Sequence, residues 1–252
     1  MLLDASISVV TPNKVANSGS YSEYIALQRT ALQRGVKFLY ETNVGAGLPI
    51  INTIQGLMAS GDKFLKIEAI LSGTLSYIFN NFGGDNRFVD VVKEAKAKGF
   101  TEPDPRDDLS GADVGRKILI LSREVGVALE PEEVKISQIL PDNCLNASTV
   151  DAFFEELEIS NAFFADMQSA AEARGEKLRY IAALENGKAT IELKTVDASH
   201  PFYTLSGSDN IVSFTTERYK DRPLVIKGPG AGAEVTASGV FADIMSISSY
   251  LG

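Results

Sequence analysis

Residues 101–117 read TEPDPRDDLSGADVGRK and hold five carboxylates and three cations. The prolines on either side of Asp104 stiffen the stretch and remove two backbone donors. Asp113 and Lys117 stand four residues apart, so they share a face if the segment is helical. Val114, Ile118 and Leu121 then form an adjacent apolar stripe that would dock that helix. Two readings are open. Asp107, Asp108 and Ser110 beside a helix start are accounted for by capping and the helix dipole alone. Alternatively, a lysine in a partly dry site acts as general acid or base when burial brings its pKa toward working pH. A carboxylate beside it opposes that lowering, so the two effects compete.

Three further segments carry weaker signals. Thr11-Pro12-Asn13-Lys14 follows a strand-like run, where open α/β sheets place ligand contacts; a plain surface turn explains it equally. Glu41 to Pro49 combines a carboxylate with glycines whose turns leave carbonyls unpaired, an oxygen set suited to a hard cation or simply a strand-to-helix turn. Gly228-Pro229-Gly230-Ala231-Gly232 opens a helix, where backbone amides suit a polar or anionic ligand. It is not the GxGxxG pattern. His200, next to Pro201, and the lone Cys144 read as structural, the latter as a buried small side chain.

These segments need elements to hold them. A short strand at Ile7–Val10, a helix at Glu23–Arg34 ended by Gly35, and a strand at Val36–Tyr40 make half of an α/β unit. Helices are expected from Pro49 to about Gly61, from Gly73 to Phe79, over Val89–Lys98 and over Gly111–Glu124, with a strand at Phe64–Leu71. Thr101–Ser110 reads as a polar loop, and Pro131–Ala147 as loop-like. A helix at Asn161–Arg174 precedes four strand-like runs, Leu178–Leu184, Ala189–Val196, Ile211–Thr216 and Leu224–Lys227, with Asn186-Gly187 as a hairpin turn. A last helix covers Ala233–Leu251. The fold class is α+β: a mixed sheet covered by helices on one face.

The bulk numbers exclude several classes. At 252 residues, 44% apolar and 23% charged, the chain can bury a sizeable core. A net charge of −9 without any basic stripe argues against nucleic acid. The start MLLDASISVV lacks the basic and apolar regions of a signal peptide, and no apolar run reaches the roughly 20 residues of a membrane span. A cytoplasmic protein without a membrane partner is expected.

Taken in order, the stretches VVTPNK, YETNVGAGLPI, ILSGTLSYIFN, GFTEPDPRDDLSGADVGRK and KGPGAGAEVTASGVFAD resemble homoserine dehydrogenase. SGADVGRKILILSREVG and the last stretch look more like the bifunctional aspartokinase–homoserine dehydrogenases than the monofunctional form. The resemblance implies NADPH- or NADH-dependent reduction of L-aspartate 4-semialdehyde to L-homoserine, in threonine, methionine and isoleucine synthesis. It implies that Lys117 is the acid–base lysine, and that Lys14 reaches both cofactor and substrate and shares the proton transfer. Glu102, Asp108, Asp113, Thr74 and Tyr77 would form the substrate pocket. Thr11, Lys14 and Gly232 would meet the cofactor. Glu41 and the carbonyls of Val44, Ala46 and Leu48 would hold a monovalent cation such as sodium. A homodimer is expected on the same ground.

Family members begin with a glycine-rich phosphate turn, and no GxGxxG follows a strand here. The expected layout is therefore a remnant of a truncated Rossmann-type nucleotide-binding domain at 1–40, a substrate-binding, catalytic and dimerisation domain at 41–227, and a helix at 228–252 returning to the nucleotide-binding part. Poor cofactor binding and little turnover by this chain alone are expected. The alternative is a non-catalytic dimerisation or regulatory module that kept the fold.

Overall fold

The computed structural model describes residues 2–249. The chain opens with β1 (Val9–Val10), α1 (Val15–Ser18), α2 (Tyr21–Arg34) and β2 (Phe38–Leu39), and β1 pairs with β2 in parallel. The Ser20 hydroxyl accepts the Glu23 N–H at 3.3 Å and so caps α2. A 3₁₀ turn at Glu41–Asn43 leads to α3 (Ile50–Ala59), β3 (Phe64–Ile70), α4 (Gly73–Asn81), α5 (Phe88–Ala97), α6 (Pro105–Leu109) and α7 (Ala112–Glu124). Then follow β4 (Lys135–Ile136), α8 (Asp142–Leu145), α9 (Val150–Ile159), α10 (Asn161–Glu172), β5 (Lys177–Glu185), β6 (Lys188–Val196), β7 (Asp209–Thr216), β8 (Leu224–Pro229) and α11 (Ala233–Ser249).

The main sheet has six strands in the order β4-β6-β5-β3-β7-β8. It is mixed: β4 runs parallel to β6 and the other pairs are antiparallel. Asn186 and Gly187 turn β5 into β6 with φ of 51° and 73°, the left-handed pair that a tight hairpin requires. Alternation then sorts the side chains. Ile67, Ala69 and Leu71 face the helices with Val212 and Phe214, in one core with Ile118 and Leu121 of α7. Phe88 of α5 stacks on Phe164 of α10 at 4.0 Å between centroids. Ile70, Ile181 and Ile211 point the other way, into a small cluster closed by Phe202 and Leu205. Helices thus cover one face, as the sequence suggests.

Four local expectations need correction. The polar loop 101–110 contains α6, because Asp104 caps it through the Arg106 N–H at 3.0 Å and Pro105 suits a first helical turn. The loop-like stretch 131–147 contributes both β4 and α8. Helix α9 was not expected; Thr149 caps it, and Phe153 and Leu157, one turn apart, bury its inner face. Helix α1 is likewise additional. The last residues of the expected C-terminal helix, 250–251, lie outside the described residues. Cys144 is buried as expected, and His200 is structural: its Nδ1 accepts the Phe202 N–H at 3.1 Å.

Candidate active site

Helix α7 places Asp113 and Lys117 one turn apart, and their side chains meet at 2.9 Å. The Lys117 ammonium also donates to the Leu71 carbonyl at 2.7 Å, just past the end of β3. Its side chain is only 12% exposed. Burial lowers the Lys117 pKa, the Asp113 carboxylate pulls it back up, and the nearby Lys14 charge adds to the lowering. Lys14 reaches the other oxygen of the same carboxylate at 3.2 Å. Burial pushes Asp113 upward, but its two ammonium partners outweigh that and hold the carboxyl below its ordinary value. One carboxylate therefore joins two ammonium groups from distant parts of the chain.

Lys14 is brought there by a polar scaffold. The Thr11 hydroxyl accepts the Asn13 N–H at 3.1 Å, and the Asn13 side chain accepts the Val15 N–H at 2.8 Å. The Asn43 amide donates to the Thr11 carbonyl at 3.0 Å and receives the Asn17 amide at 2.9 Å. Arg123, near the end of α7, donates to the carbonyls of Asn17 and Gly19, each at 2.8 Å. The helix that carries Asp113 and Lys117 thus also clamps the segment that carries Lys14. Beside them opens a cleft of about 380 Å³ lined by Pro12, Asn13, Lys14, Val15, Asp113 and Arg116. Arg116 was not singled out in the sequence; nothing local separates it from any solvated helix cation.

The remaining expected substrate residues divide. Asp108 accepts the Glu102 N–H at 2.8 Å, and burial raises its pKa, with Thr74, Asp107 and Asp113 as neighbours. Thr74 is buried and donates to the Phe100 carbonyl at 2.5 Å. The Glu102 carboxylate is exposed and has no bonded partner among the described residues. Tyr77 meets the same Phe100 through its ring, but its hydroxyl accepts from Lys98 at 2.9 Å and it lines a separate cleft with Phe79 and Arg179. Gly232 lies exposed just before α11, and Thr11 follows β1, its N–H donating to the Leu39 carbonyl at 3.0 Å.

The cation loop fits its expected occupant only in part. Both Glu41 carboxylate oxygens are engaged, accepting the N–H groups of Ile51 at 2.7 Å and Asn52 at 2.8 Å and so capping α3. The Leu48 carbonyl accepts the Ile50 N–H at 2.8 Å. The Val44 and Ala46 carbonyls have no donor among the described residues, and Ala46 adopts a left-handed φ of 53°. Buried Asp243 of α11 accepts the Glu41 N–H at 3.1 Å. Burial raises both carboxyl pKa values, and neither group has a lysine or arginine against it among the described ion pairs. A cation held by the carbonyls would offset two buried acids, so the charge suits it, while the Glu41 carboxylate itself serves the helix.

A family model described as homoserine dehydrogenase matches residues 49–245. The chain belongs to the homoserine dehydrogenase family. It is 52% identical over 252 residues to a bifunctional aspartokinase/homoserine dehydrogenase of Zea mays that is named as chloroplastic, covering 99% of this chain and 28% of that protein. It is 45% identical to the homoserine dehydrogenase of Schizosaccharomyces pombe, over 99% of this chain and 68% of the yeast protein. A hyperthermophilic archaeal homoserine dehydrogenase in complex with NADPH superposes with a TM-score of 0.72 at 26% identity, over 98% of this chain and 66% of that one. The chain therefore spans well under a third of the maize relative's length. The α+β mixed sheet described above is the fold shared with these structures. Among the described residues no helix is long and apolar enough to cross a membrane.

Proposed function

We propose that this chain supplies the substrate-binding and catalytic part of an enzyme that reduces L-aspartate 4-semialdehyde to L-homoserine with NADPH or NADH. A nicotinamide cofactor would supply the hydride. The protein must present the aldehyde, stabilise its oxygen as negative charge develops, and deliver a proton to it. Lys117 is suited to both tasks: it is nearly dry, held by Leu71 and Asp113, and its pKa is lowered by burial. Lys14 shares the charge stabilisation from the other side of Asp113. Glu102 is free to receive the substrate ammonium, and Asp108 and Thr74 support that wall. The carbonyls of Val44, Ala46 and Leu48 would hold a monovalent cation that steadies the turn into α3. Gly232 and Thr11 would meet the cofactor.

The convergence of Lys14, Asp113 and Lys117 supports an enzyme over a non-catalytic module. The same proposal includes the layout 1–40, 41–227 and 228–252 and a homodimer, both resting on family likeness. Low turnover by these residues alone belongs to it too, since no GxGxxG turn follows a strand within them. The test is Lys117→Met in the full-length polypeptide. Semialdehyde reduction should fall at least about 100-fold, the usual scale for losing a positioned proton donor, while the thermal midpoint stays the same or rises. A folded variant with a rate within twofold of wild type would overturn the assignment.

A further inference from the structure

Strand β7 carries an amide where its pattern calls for an apolar side chain. Phe214 and Val212 point from β7 into the helix-covered core, and Asn210 is the next residue of that row. Extending the Ile70–Ile211 register by one residue sets Asn210 opposite Leu71, whose carbonyl holds Lys117. On its other side Asn210 pairs with Gly228 of β8. The residue is 0% exposed, yet neither its amide nitrogen nor its amide oxygen has a partner among the described residues. Burying an unpaired donor and an unpaired acceptor is costly in an interior that could have held leucine.

The glycine segment explains how the amide is kept. A side chain at Gly230 would place its first carbon 2.0 Å from the Asn210 Cγ and Nδ2, so only glycine leaves room for this carboxamide. The same segment runs past the start of α4: a carbon on Gly73 would lie 3.3 Å from the Ser208 carbonyl and 4.0 Å from Ala231. Asn210 therefore lies between the strand end that seats Lys117 and the strap that leads to Gly232.

We propose that Asn210 is a cofactor-binding residue whose carboxamide pairs with the carboxamide of the nicotinamide ring once the Gly230–Gly232 strap yields. The inference rests on the dehydrogenase reading above. Neutrality and complementarity select this ligand group. A site without exposed surface and without an ionic partner penalises an ammonium or carboxylate, whereas a neutral amide offers one acceptor and one donor to match one donor and one acceptor. Adjacency to the Leu71–Lys117 contact sets the ring beside the proton donor.

The test compares wild type with Asn210→Leu in the full-length polypeptide by titration calorimetry, using NADPH and its reduced 3-acetylpyridine analogue, in which a methyl replaces the amide NH₂. Wild type should bind NADPH about 10-fold or more tightly than the analogue, the worth of one or two net hydrogen bonds. Asn210→Leu should bind NADPH correspondingly weakly and no longer distinguish the two, while its thermal midpoint holds or rises because two orphaned groups are gone. Unchanged NADPH affinity in the variant, or a surviving preference over the analogue, overturns the inference. So does a variant with normal NADPH binding and a raised KM for the semialdehyde, which would assign the amide to the substrate. If wild type itself binds no nicotinamide dinucleotide, the dehydrogenase reading falls as well; Lys117→Met, which should bind NADPH normally without turnover, separates the two failures.

Discussion

Replacing Arg123 with methionine should cost about 3 kcal/mol of stability and disturb catalysis at a residue it never touches. The guanidinium is fully buried and donates to three main-chain carbonyls: Asn17 at 2.8 Å, Gly19 at 2.8 Å, and Leu129 at 2.8 and 3.2 Å. The rings of Tyr21 and Tyr24 stack over it at 5.6 and 5.4 Å. Burial is what lowers its pKa. Methionine keeps the length but offers no donor, so three carbonyls lose their partner. Orphaning each costs about 1–3 kcal/mol. Removing the charge relieves its own desolvation, and the carbonyls near the surface can recruit water, so the low end applies to each, giving about 3 kcal/mol in all. That is a large share of the roughly 5–15 kcal/mol that holds a domain together. Urea unfolding of the full-length protein would measure it. The catalytic consequence follows from place: Asn17 lies within α1 and Gly19 ends it, and α1 begins directly after Lys14. Loosening that turn lets Lys14 drift from Asp113, and displacements near 1 Å can cost up to about 10²-fold. The value of kcat/KM per folded molecule should fall by about 10-fold, and Arg123→Lys, which restores charge without the fork, should recover only part. A variant as stable as wild type would refute the stability argument. A destabilised one with unchanged kcat/KM would refute the positioning argument.

Two further outcomes follow from the same geometry. Asp113→Asn removes the carboxylate that opposes the burial of Lys117, so the lysine pKa falls further; because the donor must be protonated, the alkaline limb of log kcat for aldehyde reduction should move to lower pH, and a limb that stays or moves up contradicts the assignment. Gly111→Ala should destabilise by about 3 kcal/mol, since φ is 72° and the new carbon would lie 2.2 Å from the Tyr180 hydroxyl; a melting temperature equal to wild type would count against it, and Tyr180→Phe in the same chain should restore part of the loss.

What could be read in the sequence was mostly local. Asp113 and Lys117 pair because helical spacing alone puts them on one face. The hairpin at Asn186-Gly187 and the alternation of β5 to β8 were equally plain. Helix α6 does carry a local signal: Asp104 followed by Pro105 is a cap followed by a first-turn proline. Helix α9 had Thr149 and the Phe153–Leu157 spacing. Other features had no local mark. The Leu71 carbonyl that seats Lys117 belongs to the backbone, so no residue type announces it. Glu41 looked like a cation ligand, but its carboxylate caps a helix that starts nine residues later, a cap set by the path of the loop and not by sequence spacing. Tyr77, one turn along α4 from Thr74, meets the same Phe100 but gives its hydroxyl to Lys98, a partner that no local pattern marks. Arg123 and Asn210 are ordinary letters until the fold removes water from them.

The charge count at the site gives the chemistry its direction. Two ammonium groups share the Asp113 carboxylate beside the cleft. In the reaction proposed above, the aldehyde oxygen gains negative charge before it is protonated, and an ammonium already in place stabilises that state more than the neutral carbonyl before it. Without Asp113, burial and the nearby Lys14 charge would lower the Lys117 pKa further. The Asp113 carboxylate therefore opposes the lowering of the Lys117 pKa and ties Lys14 to the same place, and Arg123 matters because its bonds to the Asn17 and Gly19 carbonyls hold the segment that carries Lys14.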